Sequence, residues 1–187
     1  MTALELQSEL HKIGRDLTAR CGLSDRVVHV CGDALTYPIA NGAFDAVVSW
    51  LTIHHIPERP RVFAKLAKAL RPGGRCYIED LYMRAPFSER DLVDVRTVLI
   101  GNSVTSLPEF AADLRGNGFV QIDATDLTDA TRPFVVARLA AWQQDSDRHI
   151  RDLGKNAYDA MENFYLVVAR LFKEESLGCV RLVASTG

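Results

Sequence analysis

Phe44-Asp45-Ala46-Val47-Val48-Ser49-Trp50 and Arg75-Cys76-Tyr77-Ile78-Glu79-Asp80, with the segment between them, decide the fold. Each run has strand length and is rich in β-branched and aromatic residues, which fit a pleated, half-buried surface. Between them, from Pro60, the apolar residues Val62, Phe63, Leu66, Ala69 and Leu70 recur at helical spacing. Arg71-Pro72-Gly73-Gly74 closes that helix, because proline has no N–H for the helical ladder and its ring clashes with the preceding turn. A strand, a helix of this length and a second strand form a crossover unit with parallel strands and a right-handed connection.

The same alternation extends toward the N-terminus. Arg26-Val-Val-His-Val-Cys31 is a strand pattern stopped by Gly32 and Asp33, and Asn41-Gly42 marks the turn before Phe44. Leu6, Leu10, Ile13, Leu17 and Ala19 give a helix from Leu6 to Cys21, with Gly22 placed to end it. The opening residues MTALE add a short apolar run that ends in an acid, Glu5. The expectation is an α/β fold: a doubly wound, mainly parallel sheet with helices on both faces.

Beyond Asp80 the rhythm changes. A polar helix is expected from about Ser88 to Leu99, a second from Leu107 to Gly116-Asn117-Gly118, and a strand over Phe119–Asp126. Two helical patterns broken near Gly154 fill Thr131 to Glu175, before a last strand over Leu177–Ala184. A single domain over 1–187 follows, with a sheet core and lid at 1–128, a helical cap or insert at 129–176 and the final strand at 177–187. Trp142, Tyr158, Phe164 and Tyr165 offer this cap an aromatic surface for an acceptor, and Arg132, Arg138 and Arg151 offer anion contacts. The alternative is an amphipathic pair that merely packs on the sheet.

Composition narrows the function classes. With 22 Lys and Arg against 24 Asp and Glu, the net charge is −2 and the basic residues are scattered, so no concentrated positive surface exists for nucleic acid. No apolar run approaches the roughly twenty residues of a membrane span, and the start lacks the apolar segment of a signal peptide. Cys21, Cys31, Cys76 and Cys179 are widely separated, which fits reduced structural thiols and neither a disulfide frame nor a metal site. A cytoplasmic protein acting on a small molecule is expected, with no nucleic-acid or membrane partner and the oligomeric state left open.

In open α/β sheets ligands bind beyond the carboxyl ends of the strands. The residues there are polar: Glu5, then Gly32 and Asp33, then Ser49 through His55, then Glu79 and Asp80. An acid after a strand can accept both hydroxyls of a ribose, and a Gly-Asp pair lets backbone approach a flat ring while offering a carboxylate to its amine. Taken singly, each of these acids suits an ordinary turn better than a ligand site.

Val27-Val-His-Val-Cys-Gly-Asp-Ala-Leu35, Phe44-Asp45, His54-His55-Ile56-Pro57 and Arg71-Pro72-Gly73-Gly74, in this order and spacing, closely resemble the class I AdoMet-dependent methyltransferases. Within them the double histidine, the acid after the fourth strand and the long insert look most like enzymes of the sarcosine/dimethylglycine, phosphoethanolamine and sugar-hydroxyl group. The resemblance implies a Rossmann-like sheet and S-adenosyl-L-methionine as co-substrate. It implies that Glu5, with Leu6 beside it, holds the ribose, that Gly32, Asp33 and Ala34 hold the adenine, and that Ser49, Trp50 and Leu51 line the methionine side. It also places His54 or His55 as the base toward an amine or hydroxyl acceptor, with Asp80 as its carboxylate partner and no metal.

One departure from the pattern stands out. The family's first strand, with its glycine-rich turn, has no counterpart here, because the sequence begins at what resembles the second strand. In the family that strand lies between the ones represented by Met1–Glu5 and Phe44–Trp50. The resemblance therefore implies either a shortened methyltransferase or a non-catalytic relative that binds through a vestigial pocket. A nucleotide-dependent oxidoreductase shares the sheet but not the His-His-Ile-Pro and Arg-Pro-Gly-Gly context.

Overall fold

A computed structural model describes residues 1–187. The chain divides into two compact units, Met1–Asn41 and Gly42–Gly187.

The first unit contains β1 (Thr2–Glu5), α1 (Ser8–Arg20) and β2 (Val28–Cys31). β1 and β2 pair in parallel, with Glu5 opposite Cys31, so both strands end at the same edge. α1 lies over β2: Thr18 Oγ1 is 2.7 Å from His29 Nε2, and a side chain on Gly14 would meet the His29 ring at 3.3 Å. The helix is shorter than its apolar pattern predicts by a turn's fraction at each end. Its stripe is also not enclosed: Leu10, Ile13 and Leu17 remain about half exposed, and no residue of this unit is buried.

The second unit opens with β3 (Phe44–Trp50), a single 3-10 turn over Ile53–His55, α2 (Arg59–Ala69) and β4 (Leu70–Met83). It continues with α3 (Glu89–Thr97), α4 (Leu107–Gly116), β5 (Phe119–Asp126), α5 (Thr128–Gln144), α6 (Ser146–Leu153), α7 (Lys155–Lys173) and β6 (Leu177–Thr186). The sheet order is β3-β4-β6-β5. β3 and β4 are parallel, and β6 runs against both β4 and β5, so it alone is reversed in a mainly parallel sheet.

Two elements differ from the sequence expectation. β4 begins at Leu70 because Leu70 pairs with Phe44, and the register then shifts to Ala46 opposite Arg75; Arg71-Pro72-Gly73-Gly74 forms the irregularity. Gly73 sits at φ 72°, and a Cβ on Gly74 would come within 2.8 Å of the Arg71 carbonyl oxygen. β4 also runs past Asp80 to Met83, because β6 supplies a continuous antiparallel partner from Leu177 to Ser185. The insert holds three helices rather than two, with breaks at Asp145 and at Gly154, whose φ is 85°.

Alternation along β4 sorts the layers. Cys76, Ile78, Asp80 and Tyr82 are buried on the face toward α2 and α4, where Phe63 stacks on Phe110 with ring centroids 5.8 Å apart. The opposite face is covered at one end only: Leu81, Leu177 and Cys179 pack with Val95 and Leu99 of the α3 region and Val167, Leu171 and Phe172 of α7. The three-helix insert is thereby anchored at the carboxyl end of β4. Trp142 stacks flat on His149 and Tyr158, with Tyr165 edge-on, so the aromatics expected to form an acceptor surface instead pack against one another.

β1 is hydrogen-bonded only to β2, and β3 only to β4, so each has one edge without a ladder. Val48 and Trp50 of β3 are 51% and 61% exposed, far more than a central strand leaves open.

Candidate active site

Within each unit, residues expected to act on a ligand lie at the carboxyl ends of its strands. In the first unit, Glu5 closes β1 and takes the Gln7 N–H on Oε1 at 2.8 Å, while the Glu5 carbonyl accepts from Gly32 N–H at 2.9 Å. Asp33 accepts from Leu35 N–H on Oδ1 at 2.8 Å, and its carbonyl takes Thr36 and Tyr37 N–H. Both acids therefore fill the turn role and keep a second carboxylate oxygen for a ligand. Gly32 is required locally, since a Cβ there would meet the Tyr37 ring at 2.9 Å. Leu6 is exposed and Ala34 half-buried beside them. This set suits a ribose diol and an adenine amine, both of which present donors to carboxylate oxygens.

In the second unit, Ser49 and Trp50 end β3, and Leu51 follows with φ 46°, a left-handed conformation rarely adopted by a side-chain-bearing residue. Its N–H is tied to the Glu79 carbonyl at 2.8 Å, and Thr52 Oγ1 donates to the Trp50 carbonyl at 2.8 Å. This reversal turns the chain directly into the 3-10 turn that carries both histidines.

The two histidines diverge. His54 is buried, and its Nδ1–H donates to Asp80 Oδ1 at 2.5 Å, while its backbone N–H reaches Asp80 Oδ2 at 3.2 Å. Asp80 is fully buried and also accepts from Leu81 N–H at 2.7 Å. With its Nδ1–H donated to the Asp80 carboxylate, His54 keeps its lone pair on Nε2. His55 is exposed and its Nδ1–H donates to the Ile100 carbonyl at 3.0 Å, a neutral partner. The two ring centroids are 3.8 Å apart. Adjacent residues thus present two imidazoles with the same nitrogen bare, one backed by a carboxylate and one by a peptide carbonyl.

Sequence reasoning missed the residues that hold this turn, namely Ile100, Asn102 and Ser103, which lie almost fifty positions away and carry no recognisable pattern. The only local signal is Gly101, where a Cβ would come within 2.8 Å of both Val95 and Val104. On the far side of β4, Tyr77 and Arg181 both bond to Glu79. These bonds hold the Glu79 carboxyl below its usual range, against the opposing effect of burial.

Residues 1–78 match the family model described as a methyltransferase domain. Over 192 aligned residues the chain is 32% identical to 27-O-demethylrifamycin SV methyltransferase of Amycolatopsis mediterranei (strain S699), covering 98% of this chain and 68% of that one. The chain belongs to the AdoMet-dependent methyltransferases. A solved methyltransferase structure, Haemonchus contortus phosphoethanolamine N-methyltransferase 2 with phosphomonomethylethanolamine and S-adenosylhomocysteine, superimposes with a TM-score of 0.89 at 19% identity. It aligns with 99% of this chain and 43% of its own. The [4+2]-cyclase SpnF superimposes at 0.78 with 23% identity, covering 99% of this chain and 65% of that one. Both likenesses establish the methyltransferase fold; SpnF adds that this fold also carries other chemistry, so activity has to be argued from the site. The chain spans about a third of the plant phosphoethanolamine methyltransferases it matches. No helix is long and apolar enough to cross a membrane.

Proposed function

We propose that this methyltransferase moves a methyl group from AdoMet to an amine or hydroxyl of a small-molecule acceptor, with His54 as the base and Asp80 as its partner. AdoMet supplies a methyl already activated on a sulfonium sulfur, so the protein's task is alignment and removal of one proton. As the acceptor's nitrogen or oxygen takes the methyl, the acceptor's proton passes to His54 Nε2. Asp80 holds the ring in the correct tautomer and stabilises the imidazolium that results. The single observation that carries this reading is the buried His54–Asp80 pair, positioned just after β3 and within β4.

Glu5, Leu6, Gly32, Asp33 and Ala34 take the nucleoside part of AdoMet, and Ser49, Trp50 and Leu51 its methionine side. The insert at 129–176, anchored at the carboxyl end of β4 through its packing on Leu81, Leu177 and Cys179, acts as the cap over the acceptor. Transfer to oxygen is the reaction named for the Amycolatopsis relative, and transfer to nitrogen the one named for the phosphoethanolamine enzymes. Both need the same proton removal.

Calorimetry with AdoMet, followed by label transfer from AdoMet to a panel of small amines and hydroxyl compounds, tests the reading. Asp33→Ala is expected to weaken AdoMet binding about tenfold, the worth of a hydrogen bond to a charged group. Asp80→Asn is expected to leave that affinity unchanged. AdoMet binding that responds to Asp80→Asn and not to Asp33→Ala would overturn the assignment of roles.

A further inference from the structure

The histidine turn is held from outside at every carbonyl. Ser103 Oγ donates to the Ile53 carbonyl at 3.0 Å, Ser103 N–H to the His54 carbonyl at 3.0 Å, and Asn102 Nδ2 to the His55 carbonyl at 2.8 Å. The same loop supplies the Ile100 carbonyl that takes the His55 ring proton. To do so Ile100 adopts φ 52°, a strained conformation for a β-branched residue, and leaves its own side chain 52% exposed. The strain is held in place by Gly101, whose N–H bonds to the Val95 carbonyl at 2.8 Å.

Behind the loop lies Arg59, a guanidinium only 5% exposed. Its Nη1 donates to the Ser103 carbonyl at 2.9 Å, while Nε, at 3.0 Å, and Nη2 both reach Asp113 Oδ2, and its plane lies 4.5 Å from the Phe110 ring centroid. A buried cation as the first residue of α2 is unfavourable for the helix, whose N-terminus is already the positive end of the dipole. A residue that breaks a local rule yet is hydrogen-bonded at all three guanidinium nitrogens serves something other than helix stability. Here the side-chain hydrogen bond it makes outside α4 is the one to Ser103, in the loop gripping both histidines.

We infer that Arg59, acting through Ser103 and Asn102, is a positioning residue that locks the Ile53–His55 turn and holds the His55 ring in the tautomer with Nε2 bare. The inference deepens the methyl-transfer reading and rests on it only for its kinetic consequence. The two neighbouring rings then have separate guarantors of their tautomer: Asp80 for His54, and the Arg59-braced loop for His55.

Nitrogen NMR of the full chain labelled at histidine, at about pH 8 where an ordinary imidazole is neutral, reads the tautomers directly. The native protein is expected to show His54 and His55 each with Nδ1 protonated. Arg59→Lys keeps the charge beside Asp113 but cannot also reach Ser103. Asn102→Ala removes an exposed side chain and so leaves folding intact. In both, the His55 signals are expected to average between tautomers while His54 keeps its pattern, and kcat is expected to fall about tenfold with KM for AdoMet unchanged. Should Arg59→Lys not fold, Asn102→Ala carries the same readout. A folded variant in which His55 retains its single tautomer overturns the inference. A native chain with the expected tautomers but no methyl transfer leaves the positioning role standing and removes the methyl-transfer reading instead.

Discussion

Asp80 is the residue on which most of the candidate chemistry converges, for it is wholly buried and receives both the backbone and the ring of His54. Replacing it with asparagine keeps an oxygen toward Nδ1 but removes the charge that stabilises a protonated ring. Asp80→Asn is expected to lower turnover about a hundredfold, the typical share of general-base assistance, as read by initial rates of label transfer from AdoMet. His54→Ala should do the same, whereas His55→Ala should cost about tenfold; equal losses in the two alanine variants would remove His54 from the base role. The cysteines offer a second residue-level test. Burial pushes the Cys76 thiol up to about 12 and also raises Cys179, while Cys21 and Cys31 are exposed. A thiol-specific reagent at about pH 8 is expected to titrate two cysteines in the native chain and all four once it is denatured. A third fast-reacting thiol would contradict the packing of β4 against β6.

At the scale of elements, the α3 region is tied to α7 by charge as well as by apolar packing. Ser88 caps α3 in a reciprocal box with Asp91, and Ser106 caps α4 likewise with Glu109. Arg170 of α7 then donates to Asp91 at 2.6 Å and to Asp94 at 2.8 Å, with Glu174 on the same guanidinium. Burial alone would raise the Asp91 carboxyl, but the bonds from Arg170 and Ser88 outweigh it and hold it below the ordinary aspartate range. A carboxyl depressed in the folded state adds stability above its unfolded pKa of about 3.9 and loses it as pH falls through the folded value. Asp91→Asn is therefore expected to cost about 2 kcal/mol near neutral pH, by leaving Arg170 partly unpaired. Urea denaturation should show that gap closing as the pH drops below about 4. A gap undiminished in acid would mean that the asparagine disrupts the cap and not the ion pair.

Across the whole molecule the two units differ in how much they enclose. Gly42–Gly187 buries Phe63, Phe110, Phe119, Phe172 and a row of aliphatic residues to below 2% exposure, whereas Met1–Asn41 buries nothing. Units near 40 residues seldom hold themselves together without a staple. Hydrogen exchange followed by mass spectrometry is expected to show the amides of β1, α1 and β2 exchanging orders of magnitude faster than those of β4 and β6. Equal protection in the two units would show that the first gains stability that its own burial does not supply. The unladdered edge of β3, with Val48 and Trp50 beside it, is the corresponding open feature of the second unit.

The sequence by itself determined what depends on neighbours along the chain. Period-two and period-3.6 patterns located β3, α2, α4 and β5 nearly to the residue, and the order Gly32-Asp33, Phe44-Asp45, His54-His55, Arg71-Pro72-Gly73-Gly74 was enough to indicate the family. Only the tertiary structure decided what depends on partners distant in sequence. β4 reaches Met83 because β6, a hundred residues later, offers it a ladder, and the insert breaks at Asp145 because its aromatics pack on one another. Which histidine meets Asp80 could not be read from an adjacent pair. One buried ring and one exposed ring follow from the turn that begins at Leu51 and from hydrogen bonds donated by a loop almost fifty residues on. Side-chain period is a local property of the backbone, whereas hydrogen-bond partners are assigned by the packing of the folded chain.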